Sequence, residues 1–234
     1  MEIPDNYYEI SEQANNCRRK WNINENSPID IFAEVLDKID NVTLCFLDME
    51  DNLSGSSFKT GKNKVIFINS NHPLGRQRFT LAHEVYHLEY QKEFVNCDID
   101  SSDDEIEADA DQFASCLLMS NGALFNYERE NNIKEWDLDY IMKAQQYFQI
   151  SNSAMLRRLH SLDKISDSQK EKYSYNVMLN ARERGYDLKL YKPYTEKNNL
   201  VLGNYIRLTN TAYNKGLISK AKKDELLIDA YEEI

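Results

Sequence analysis

The segment His83-Glu84-Val85-Tyr86-His87 holds the residue types that metal-assisted hydrolysis needs. Residues i and i+4 stack on one face of a helix, so both imidazoles can reach a single ion while Glu84 lies beside that face. A catalytic zinc takes three protein ligands and keeps a fourth position for water, so a third ligand must come from elsewhere. Glu107 and Asp111 stand four apart on a second helical stretch and point the same way. Glu107 is the candidate third ligand, with Asp104, Glu105 and Asp109 as rivals. Asp111 is the candidate acceptor for the outer N–H of one imidazole, fixing its tautomer and making it a better donor. In such chemistry Glu84 takes a proton from water and later passes it to the leaving amine. Tyr90, at i+7 from His83, is a candidate oxyanion stabiliser, although core packing is the commoner use of such a ring. His72 and His160 read as surface histidines. The His-His-carboxylate set suits Zn2+, and accepts Mn2+, Fe2+ or Co2+.

The elements that must position these residues are legible as hydrophobic periods. Helices are expected from about Tyr8 to Trp21 and after Pro28, with Ile31, Val35, Leu36 and Ile39 on the inner face. Val42–Leu47 and Lys64–Asn69 read as strands flanking an Asp-Asn-Leu-Ser-Gly turn at 51–55. Helices return from Arg76 to about Tyr90 and from Asp104 to Met119. Beyond Asn131 only helices are expected. They include a pair shaped like a helix-turn-helix, Asp137 to Phe148 and then Ser151 to Leu162, and two final helices meeting at Gly216 with Ser219 as a cap. The fold class is α+β, mainly helical, with a sheet of about three strands beside the metal helix. The expected divisions are a unit at 1–130 that carries the candidate metal ligands, a helical extension at 131–165 and a C-terminal helical region at 166–234.

The chain has 234 residues, 41% of them apolar and 29% charged, which excludes disordered and collagen-like classes. No apolar run approaches the roughly 18–20 residues that span a bilayer. The first residues lack a secretion signal, so a cytoplasmic protein with no membrane partner is expected. Cys17, Cys45, Cys97 and Cys116 form no close pair and read as buried, reduced thiols. The net charge of -11 is uneven: residues 1–140 carry 12 basic and 28 acidic side chains, residues 141–234 carry 16 and 11. Eight acids lie between Asp98 and Asp111 without a Lys or Arg.

Arg78-Phe79-Thr80-Leu81-Ala82-His83-Glu84-Val85-Tyr86-His87 resembles the signature of the ImmA/IrrE family of metallo-endopeptidases. Ser27-Pro28-Ile29-Asp30, the strand Ile66–Asn69, Glu107–Ala114 and Leu117-Leu118-Met119 resemble further landmarks of that family, over roughly residues 10–165. Ser120 stands where proline is usual, and Tyr86 where a small residue is common. The resemblance implies a zincin-like fold, zinc held by His83, His87 and Glu107, and cleavage of an Xre-type, helix-turn-helix repressor to relieve repression in a phage, mobile element or stress response. It also implies that Lys64–Asn69 is an edge strand, so Ile66, Phe67, Ile68 and Asn69 would receive an extended substrate by main-chain hydrogen bonds. The acidic surroundings favour a basic target segment.

The competing reading is a DNA-binding or protein-binding regulator, including a toxin–antitoxin partner, whose metal site is structural. Arg157, Arg158, His160 and Lys164 would then border a recognition helix. A chain of net charge -11 is poorly equipped for phosphate contacts, which places DNA binding second.

Overall fold

The computed structural model describes residues 6–91, 104–194, 199–228 and 230. Two helices open the chain, α1 (Tyr7–Lys20) and α2 (Ile31–Lys38). Three strands follow, β1 (Val42–Leu47), β2 (Gly55–Thr60) and β3 (Asn63–Asn69). Then come α3 (Leu74–Glu89), α4 (Asp104–Leu118) and α5 (Asn121–Glu130). The helix pair is α6 (Leu138–Phe148) and α7 (Asn152–Ser161), turned by Gln149 in a left-handed conformation. Two short helices, α8 (Asp167–Tyr173) and α9 (Val177–Glu183), precede a fourth strand, β4 (Leu200–Gly203). The last two helices are α10 (Asn204–Asn214) and α11 (Lys220–Ile228).

The four strands form one sheet in the order β2-β3-β1-β4. β3 runs parallel to β1, with Val42 opposite Lys64 and Leu47 opposite Asn69. β2 and β4 flank them antiparallel, β2 on β3 and β4 on β1. Two strands escaped the sequence reading. β2 reads GSSFKT, polar and without alternation, because it lies at an edge. β4 has four residues, too few for a period, and it corrects the expectation of helices alone beyond Asn131. Its Gly203 has φ +92°, and an added Cβ would come within 2.5 Å of the Val42 carbonyl oxygen. Glycine is required there for the chain to leave the sheet and enter α10.

The main apolar core runs under the sheet and through the helices, and a smaller cluster of Met142, Ala181, Leu190 and Tyr191 lies apart from it. In α4 Ala110, Phe113, Ala114, Leu117 and Leu118 are fully buried, the i, i+3, i+4, i+7, i+8 stripe of an amphipathic helix. α3 is different. It buries Leu81, Ala82, Val85 and Leu88, and also Gln77, Arg78, Glu84 and His87. A helix enclosed on all sides must satisfy its polar groups within the protein. Gln77 Nε2 donates to the Asn69 and Ser70 carbonyls at 3.0 and 3.2 Å. Arg78 donates to the Gln149 carbonyl at 3.0 Å and to that of Ile29. Buried cations also tie α1 and α7 into the frame: Arg18 donates to the Leu117 carbonyl at 2.5 Å, and Arg158 to Asn121 Oδ1 at 2.7 Å. Among the described residues no helix is long and apolar enough to cross a membrane.

Candidate metal centre

α3 and α4 pack side by side, and their contact brings His83, His87 and Glu107 together. His83 Nε2 lies 3.0 Å from His87 Nε2 and 3.1 Å from Glu107 Oε2, and His87 Nε2 lies 3.5 Å from Glu107 Oε1. A tetrahedral ion with bonds of about 2.0–2.1 Å sets its ligands about 3.3 Å apart, so this donor set fits one divalent metal ion. Both rings are held from behind. His83 Nδ1 is 3.0 Å from Asp111 Oδ1, and His87 Nδ1 is 2.9 Å from Gln91 Oε1. With acceptors at both Nδ1 atoms, the favoured tautomers leave both Nε2 lone pairs facing Glu107.

Without a metal the cluster stores a proton. Burial disfavours a charged His83, but its hydrogen bonds to Asp111 and Glu107 outweigh that and push its pKa up to about 10. The His83 hydrogen bond in turn holds the Glu107 carboxyl below its ordinary range. Burial works against the charge of Asp111, yet His83 and Arg157 together keep its carboxyl below the usual value. Glu84 is buried next to both imidazoles, and burial raises its carboxyl above the ordinary value while the two rings lower it. Gly55, the first residue of β2, abuts it: a Cβ there would sit 3.6 Å from Glu84 Oε1. The buried Ser57 hydroxyl lies on the same strand and makes no well-formed hydrogen bond.

The structure brings five of the residues read from sequence, His83, Glu84, His87, Glu107 and Asp111, into one centre and corrects several others. Asp109, a rival ligand, instead accepts from Asn6 Nδ2 at 2.5 Å and from Tyr86 Oη at 3.4 Å. Glu105 is exposed, and the side chain of Asp104 lies outside the described residues, as do Cys97 and the acids from Asp98 to Asp103. Tyr90 is partly buried and packs against the core. Its ring packs 4.8 Å from that of Phe113 and its hydroxyl is engaged by the Cys17 thiol, which turns it to packing rather than toward the three candidate ligands. His72 is buried rather than superficial, its Nε2 3.1 Å from the Asp51 carbonyl, and His160 is largely covered and pairs with Asp167 at 2.8 Å. β3 is an interior strand, not an edge, so the main chain of Ile66, Phe67, Ile68 and Asn69 is already paired on both sides. The Asn69 side chain instead clamps the preceding loop through the carbonyls of Met49, Glu50 and Leu53. Ser120, the departure from proline, caps α5 by accepting from the Ala123 amide at 3.0 Å. Gln91 went unread, although its place four residues after His87 was the available signal.

The helix pair carries no free set of cations. Arg158 is buried, Arg157 pairs with Asp111 at 2.7 Å, and Lys164 pairs with Glu128 at 2.9 Å. With His160 on Asp167, all four basic residues read as a recognition-helix border have protein partners.

An HExxH helix crossed by an acidic helix and flanked by a small mixed sheet defines a zincin-like metallopeptidase fold. The IrrE N-terminal-like domain family matches residues 38–160, more than half the chain, and the protein belongs to this metallopeptidase (ImmA/IrrE) family. Among solved structures, a Mycobacterium tuberculosis transcriptional regulator is similar at 13% identity and a TM-score of 0.46. That match covers 70% of this chain, and the chain spans about half (49%) of that structure. No curated protein matches the chain.

Proposed function

We propose that this protein is a zinc-dependent endopeptidase that cleaves a protein substrate, a helix-turn-helix repressor, and so relieves repression. The convergence of His83, His87 and Glu107 within 3.0–3.5 Å, with Glu84 buried beside them, carries this reading. When bound, a divalent ion supplies Lewis acidity toward a carbonyl and a water able to ionise near neutral pH. Asp111 and Gln91 hold the rings in the ligating tautomer. Glu84, its carboxyl raised by burial, is suited to accept the water's proton and deliver it to the leaving amine.

The outer edge of β2 is the surface suited to an extended substrate, since it has no strand beyond it among the described residues. Gly55 sets the start of that edge against Glu84. A peptide added there would run past the general base, in place of the pairing first assigned to Lys64–Asn69. The commitment of Arg157, Arg158, His160 and Lys164 to protein partners gives the DNA-contact reading no support. Incubating the zinc-loaded protein with Xre-type, helix-turn-helix repressors of its own genome, followed by mass spectrometry, tests the proposal. Two fragments from one cleaved bond are expected, and an intact regulator under conditions where zinc is bound would count against it.

A further inference from the structure

Asp111 uses both of its oxygens. Oδ1 meets His83 Nδ1 at 3.0 Å, and Oδ2 accepts from Arg157 at 2.7 Å. Arg157 arrives from α7, 46 residues further along the chain. Its guanidinium also lies over the ring of Phe79, 5.1 Å from the centroid, one turn of α3 before His83. A single side chain of the helical extension therefore rests on both helices of the metal centre.

Its placement is rigid for a reason visible in its neighbours. Met155, Leu156 and Leu159 bury one face of α7 in the core, and Arg158 is 2% exposed. Arg158 donates to Tyr7 Oη at 3.2 Å, the Met119 carbonyl at 3.3 Å and Asn121 at 2.7 Å, which prevents α7 from rotating. The Arg157–Asp111 pair is itself partly exposed, 49% and 38%, and such pairs add little to stability. What it adds is orientation. A carboxylate bonded only to His83 can turn about its own axis, whereas one anchored on Oδ2 keeps Oδ1 on the imidazole.

We infer that Arg157 is a positioning residue of the metal centre, acting through Asp111 to hold His83 Nε2 toward the ion. This rests on the metallopeptidase reading and assigns the helical extension a part in it: α7 completes the centre rather than contacting DNA.

Zinc affinity of the metal-free protein, measured by competition with a chromophoric chelator, tests the inference without reference to cleavage. Arg157→Met keeps the aliphatic stem over Phe79 and removes the charge. It should weaken zinc binding about tenfold, Asp111→Asn about 10–100-fold, and the double variant no more than Asp111→Asn alone. The visible band of the cobalt-loaded protein, which reports ligand geometry, should shift in Arg157→Met, while the melting temperature of the metal-free variant stays near the parent's. Equal affinity in the parent and Arg157→Met overturns the inference. So does a double variant whose loss is the product of the two single losses, because Arg157 would then act independently of Asp111. A parent that binds neither zinc nor cobalt removes the metal reading and this inference with it, whereas a parent that binds both, beside an unaffected Arg157→Met, removes this inference alone.

Discussion

His83 Nδ1 and Asp111 Oδ1 stand 3.0 Å apart across the contact of α3 and α4. That bond faces away from the Glu107 side of the ring, so His83 offers one nitrogen to a metal and spends the other on a carboxylate. Such two-sided use of one imidazole is what a metal ligand requires, and two histidines that merely share a helix face need not show it.

Glu84→Gln removes the base and leaves the ligands in place. It should bind zinc like the parent and lose cleavage by about 10²–10⁴-fold, the span expected for a positioned proton-transfer group. His83→Ala should lose both. Metal analysis of the purified variants, beside a cleavage assay on a helix-turn-helix repressor that the parent cuts, checks the contrast; full cleavage by Glu84→Gln would assign the base to another group.

The proton on His83 gives metal binding a pH dependence. In the metal-free protein the pKa rises from 6.5 to about 10, so this interaction stabilises the fold fully below about pH 6.5 and is lost as pH climbs through about 10. A metal has to displace that proton. Apparent zinc affinity should therefore rise between these limits, by up to about tenfold per pH unit, with one proton released from this site. Calorimetric titrations in buffers of different ionisation enthalpy measure the release, and an affinity flat across this window would contradict the assignment.

Gly55→Ala should destabilise the fold by about 1–3 kcal/mol, the usual cost of overpacking. The new Cβ would lie 2.5 Å from Thr80 Cγ2 and 2.6 Å from the Phe67 carbonyl oxygen, and the second of these is backbone and cannot swing aside. Because β2 must move off α3, cleavage should fall along with stability. Urea denaturation gives the first quantity and peptide hydrolysis the second.

Burial pushes the thiols of Cys17 and Cys45 up to about 11. At pH 8 few thiolates form there, so iodoacetamide should leave both unmodified in the native protein and label them after unfolding. Mass spectrometry of tryptic peptides with and without urea reads the difference.

Local order supplies most of what a linear reading can see. The apolar stripe of α4 and the β-branched runs of β1 and β3 repeat at 3.6 and 2 residues, and the i, i+4 spacing of His83 and His87 is likewise a property of one helix. β2 and β4 lack a signal of this kind, since one is a polar edge and the other four residues long. Burial of His72 depends on the 48–54 loop folding back over β3, and no residue within a few positions of it announces that contact.

The amino-acid sequence by itself determined the chemistry on offer: two imidazoles and a carboxylate on one helical segment, an acidic helix downstream, and the family they mark. Tertiary structure decided which acid faces the rings, placing Glu107 there and turning Asp109 to Asn6 and Tyr86. It also put β2 rather than β3 at the sheet edge, and Arg157 against Asp111. The division has a physical cause. Side-chain direction along one helix follows from its own 1.5 Å rise and 3.6-residue turn, whereas strand order and contacts between helices depend on which distant surfaces bury one another.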